Sequence, residues 1–131
     1  MLLTSARLGN AGQLYGIAAE CGVKAILVAC GVPADSDGSI DRPGGVKGKA
    51  FKEHFPKLHD AVLNLAHTIP DGRTAATYLA TMPHLACFFD WSVDHRFWRD
   101  AVLPTASVTN WQAAAGEVMT ALDMATENGV L

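Results

Sequence analysis

The sequence predicts an all-α fold, an antiparallel helical bundle of four main helices with short helical segments between them. Three observations predict it. Apolar residues recur at alternating spacings of three and four through 5–30 and 107–128. No segment sustains the period-two alternation of a half-buried strand. Turn signals separate the periodic segments: Gly31 with Pro33, then Pro70-Asp71-Gly72, then Pro83. The chain has 131 residues, half of them apolar and 18% charged, enough for one domain over 1–131 with its own core.

The first helix is expected from Ser5 to Cys30, with Thr4 or Ser5 as N-cap and Gly31 as the stop. Leu8, Ala11, Tyr15, Ala18, Gly22, Ala25 and Ala29 form one seam, and Leu14, Ile17, Cys21 and Val28 a second beside it. A helix apolar over so much of its circumference is expected to be central and the most buried, so Ala18→Glu should destabilise the protein strongly. Gly9, Gly12 and Gly16 offer a small-residue face suited to self-association. Glu20 and Lys24 stand at i,i+4 in the favourable order.

The pattern stops over 32–48, a loop rich in Gly and Asp whose far side is basic, with Arg42, Lys47, Lys49 and Lys52. It reads either as a solvated loop or as a phosphate-contacting edge. Pro56 suits the start of a second helix, Lys57 to Thr68, with Leu58, Val62, Leu65 and Ile69 as its stripe. A shorter helix follows, Arg73 to Met82. Leu85 to Phe89, Trp91, Phe97 and Trp98 make an aromatic-rich joint. The last helix is expected from Ser107 to Asn128, with Val108, Trp111, Ala115, Val118, Leu122 and Ala125 inward and Gly129 as its cap.

The net charge of -3 argues against a general nucleic-acid coat protein. Cys21, Cys30 and Cys87 are odd in number and lack CxxC spacing, which fits reduced, buried thiols in the cytoplasm. The longest apolar run, Ala25 to Cys30, is too short to span a membrane, and the N-terminal residues lack a signal-peptide pattern.

The string Leu14-Tyr15-Gly16-Ile17-Ala18-Ala19-Glu20-Cys21-Gly22-Val23-Lys24-Ala25-Ile26-Leu27 resembles the first-helix signature of the HEPN-domain family. The segment Lys57 to Leu65, containing His59-Asp60, fits that family's second element. Asp90-Trp91-Ser92-Val93-Asp94-His95-Arg96-Phe97 is similar to a W-S-V-x-x-R-Y string of an HEPN-like bacterial subgroup, with Phe97 in place of Tyr. The resemblance covers most of the chain in order. It implies a helical bundle, homodimerisation and a link to RNA or nucleotides. It also implies a toxin-antitoxin or defence setting with a nucleotidyltransferase-like protein partner. Family ribonucleases carry an R-x(4-6)-H motif, in which Arg holds the phosphate and His moves a proton. Here the shortest Arg-to-His step, Arg73 to His84, is longer than that motif allows, so no catalytic pair carries over.

Glu20, Lys24, His59, Asp60 and Arg96 are the candidate polar or anion site, with Tyr15, Trp91 and Asp94 beside it. Charged groups on a mostly apolar helix must either line a solvent-filled cleft or meet opposite charges, so Glu20 and Lys24 are expected within reach of His59 or Arg96. His59-Asp60 reads equally as a helix-start pair, and Trp91 with Arg96 as a structural joint. His54, His59 and His67 are spaced by five and eight, which does not place three metal ligands on one helical face. No metal or cofactor is expected. Three functions follow: a non-catalytic HEPN-like interaction module, a nucleotide-acting enzyme or ribonuclease with a rearranged site, or a structural partner subunit without ligand.

Overall fold

A computed structural model describes residues 5–32, 54–65, 69–92 and 105–131. The described residues are all-α. α1 spans Ser5–Ala29, α2 Lys57–Leu65, α3 Gly72–Leu79 and α4 Thr105–Glu127, with a 3-10 helix at Pro83–Asp90 between α3 and α4. The loop 33–48, Asp94, Arg96, Phe97, Trp98 and His67 lie outside the described residues.

The two long helices end alike. Past α1, Val32 N–H donates to Leu27 O at 3.0 Å and Gly31 N–H to Val28 O at 3.0 Å, with Gly31 at φ 109°. Past α4, Val130 N–H donates to Ala125 O at 2.8 Å and Gly129 N–H to Thr126 O at 3.1 Å, with Gly129 at φ 75°. Both are paired 6→1 and 5→2 closures around a left-handed glycine, which satisfy the last helical carbonyls. α3 starts at Asp71, whose carboxylate accepts Thr74 N–H at 3.3 Å. Asp71 thus caps a helix as well as shaping the expected turn.

α1 packs chiefly on α4, and α4 also carries the 3-10 helix. The seam expected of α4 is the one it buries: Val108, Trp111, Ala115, Val118 and Ala125 are buried and Leu122 half-buried. α1 differs from expectation. Its buried face runs through Gly12, Gly16, Ala19, Val23, Ile26, Leu27 and Cys30. Of the two expected seams only Gly22 is buried among the described side chains; Ala18, Leu14, Ile17 and Cys21 are exposed. The helix is therefore not enclosed, and Cys21 is not a core thiol.

The reason lies in what α1 meets. A Cβ on Gly16 would overlap the Trp91 indole, and one on Gly22 would overlap the Val118 side chain. Trp91 is 1% exposed and donates its Nε1–H to Gly12 O at 2.9 Å. Phe88 meets it edge-on with ring centres 6.3 Å apart, and Phe55 stacks on Phe88 at 4.7 Å. This aromatic row needs the smallest side chains of α1 facing inward. Gly12 and Gly16 thus serve packing within one chain, and the neighbouring Leu14 and Ile17 turn outward.

Candidate functional site

Glu20 is the centre of the polar cluster. It lies on the edge of the buried face of α1 and is only 5% exposed. Its Oε1 accepts Lys24 Nζ at 3.1 Å and His54 Nδ1 at 2.6 Å. The Lys24 contact is the expected i,i+4 pair. The histidine is not the expected one: Glu20 meets His54, and His59 faces a separate cleft. A carboxylate accepts, so in this contact the His54 Nδ1–H donates to Glu20. His54 also opens α2, its carbonyl accepting Leu58 N–H at 3.0 Å. Its side chain is 58% exposed, so the pair leaves one edge of the imidazole open to solvent.

The other site residues separate. Asp60 is exposed in the first turn of α2, a favourable place for a carboxylate against the helix dipole. His59 is half-buried, and burial pushes its pKa down, opposed by the Asp60 carboxylate. Tyr15 is half-buried against the core. Trp91 is a core plug and offers no open ring face for stacking. Arg96 and Asp94 lie outside the described residues, so the arginine arm of the expected site is not placed.

Two further acids outside the expected site, Asp90 of the 3-10 helix and Glu117 of α4, join those two helices. Asp90 accepts Ser107 Oγ at 2.5 Å and Trp111 Nε1 at 3.0 Å. Glu117 accepts both the His84 backbone N–H at 2.9 Å and His84 Nδ1 at 2.5 Å. These pairs fasten both ends of the 3-10 helix. Among the described residues no group of three His, Cys, Asp or Glu is placed to hold a metal ion. No described helix is long and apolar enough to cross a membrane.

The largest unexplained feature is the outer face of α1. Leu14 is 65% and Ile17 36% exposed. Ala18, Cys21 and Ala29 are exposed too, with Ala25 and Val28 half-buried between them. At 100° per residue these positions share one stripe, and none is charged. Glu20 and Lys24 lie along its flank.

Comparison of the chain with protein-family models, with curated proteins and with solved structures found no match.

Proposed function

We propose that this protein is a non-catalytic, HEPN-like helical interaction module that pairs with a second copy through the outer face of α1. The charge-free stripe from Leu14 to Ala29 carries this reading. It is about 22 Å long at 1.5 Å per residue, and extended exposed apolar surface on a soluble domain marks an interface. An antiparallel two-fold pairing sets the exposed Leu14 and Ile17 of one copy against the Ala25, Val28 and Ala29 end of the other, the same patch on both copies. The HEPN-like assignment and the antiparallel four-helix arrangement rest on the sequence strings quoted above. The three free thiols favour a cytosolic setting.

Sedimentation at micromolar concentration tests the pairing. The protein should sediment as a dimer, and Ile17→Glu should sediment as a monomer with an unchanged circular dichroism spectrum. A monomer at every concentration overturns the reading.

One observation favours a second reading, a nucleotide-acting site. Glu20 joins His54 and Lys24 on one carboxylate oxygen, with the His54 ring open to solvent. Titration with a mononucleotide, followed at the His54 ring by NMR, tests it. Saturable shifts lost in Glu20→Gln would support this reading, and no shift at millimolar ligand would remove it.

A further inference from the structure

We infer that the cleft between α2, α3 and the start of the 3-10 helix is a binding site for a small uncharged molecule with an apolar, ring-sized body and one hydroxyl group. The cleft has a volume of about 310 Å³. That is at the lower end of small-molecule sites, which run from about 300 to 1,000 Å³, and it suits one ring or two fused rings. Its existence follows from the sequence of α3. Ala76 and Ala80 stand one turn apart at the wall and are both exposed, so the wall presents methyl groups where longer side chains would fill the space. Beneath them Met82 and Leu85 are buried and close the floor against the core.

His59 is the single polar side chain on this lining. Its ring has no hydrogen-bond partner among the described residues. Burial holds it neutral near pH 7, with one ring nitrogen donating and the other accepting. The titratable neighbour is Asp60 on its own helix. The residues that line the cleft from α3 and the 3-10 helix carry no titratable group. A ligand hydroxyl both donates and accepts, so it can meet either nitrogen of this half-buried imidazole with no charge supplied by the cleft. A carboxylate or ammonium would leave water for a lining that holds no opposite charge. The chemistry therefore selects an apolar body with one hydroxyl. This site is on elements other than α1 and does not depend on the pairing proposed above.

The probes are phenol and 2-naphthol, with toluene and benzoate as comparisons. Binding is read by NMR from the His59 ring and the Met82 methyl group of the full chain. Both alcohols should give saturable shifts at millimolar concentration. Toluene should bind about fivefold more weakly, the loss of one hydrogen bond worth about 1 kcal/mol, and benzoate should not saturate. Ala80→Leu, a change at an exposed position, should keep the helical circular dichroism and weaken 2-naphthol at least tenfold. Binding should weaken as the pH falls and His59 takes a proton. The inference is overturned if the alcohols do not saturate, if benzoate binds as well as phenol, or if Ala80→Leu binds 2-naphthol unchanged. It is overturned equally if the His59 shifts follow protein concentration without any probe, because a second copy then occupies the cleft.

Discussion

At the residue scale, glycines in one protein play opposite parts. Gly16 lies under the Trp91 indole, and an added methyl group has nowhere to go. Gly16→Ala should destabilise the protein by about 1–3 kcal/mol, the usual range for overpacking. Gly116, on the exposed side of α4, has nothing within 4 Å of where its Cβ would stand. Gly116→Ala should stabilise by about 0.5–1 kcal/mol, through helix propensity alone. Urea unfolding of the two variants checks both signs, and equal effects would show that the indole is not seated against α1. His59 gives a second prediction. Burial lowers its pKa in the folded protein below the ordinary 6.5, with Asp60 opposing. In the window below 6.5 the unfolded chain then binds more protons than the folded one. The stability tied to His59 is complete above that window and is lost as the pH falls through the folded value. The urea midpoint of the wild type should therefore fall more steeply than that of His59→Gln between about pH 7 and 5. Parallel curves would place the imidazole in full contact with water.

At the element scale, the 3-10 helix is held from outside itself. At its start the α4 acceptor Glu117 takes two donors from His84, and at its end the α4 donors Ser107 Oγ and Trp111 Nε1 hold Asp90. Glu117→Ala removes the acceptor for two donors on His84 and should cost about 1–2 kcal/mol. Hydrogen exchange should then speed up over 83–90 before it does in α4. Uniform acceleration would mean that this segment and α4 open together. The helices differ in how far their sequences disclosed them. α4 was legible because its large residues, Val108, Trp111 and Val118, mark the inward side, so size and burial agree. The bounds of α1 were legible through Gly31. Its inward face was not, because size and burial disagree there: Gly12, Gly16 and Ala19 go in, while Leu14 and Ile17 stay out. The cause is Trp91, which bonds to Gly12 across 79 positions of sequence, a separation no helical periodicity encodes. The polar cluster follows the same rule. The Glu20–Lys24 pair is local and follows from helical spacing; the Glu20–His54 pair spans 34 positions, and spacing alone points instead to His59 or Arg96. The only trace of it in the sequence is that His54 sits just ahead of Pro56, where a second helix begins.

At the scale of the whole molecule, the core and the outer face of α1 answer one constraint. Seating an aromatic row on Gly12 and Gly16 turns Leu14 and Ile17, the larger apolar residues beside them, away from the core, while Val23, Ile26 and Leu27 further along stay inside. The surface left over is continuous, uncharged and bounded by Glu20 and Lys24. Ala18, expected from its seam to be buried, lies in the middle of that surface. The consequence for Ala18→Glu is the reverse of a core mutation. In a monomer the new carboxylate meets water, and the fold should lose no more than about 0.5 kcal/mol, as at other exposed sites. In an antiparallel pair the same carboxylate stands near the two-fold axis, is carried in twice, and has no partner charge across the interface. A protein that pairs gains apparent stability from association, so its thermal midpoint rises with concentration. The wild-type midpoint should therefore climb between micromolar and hundred-micromolar protein. That of Ala18→Glu should stay level and match the wild type at the dilute end. If both midpoints are independent of concentration, the face of α1 is not used for self-pairing. If the variant is much less stable even when dilute, Ala18 is covered within the monomer.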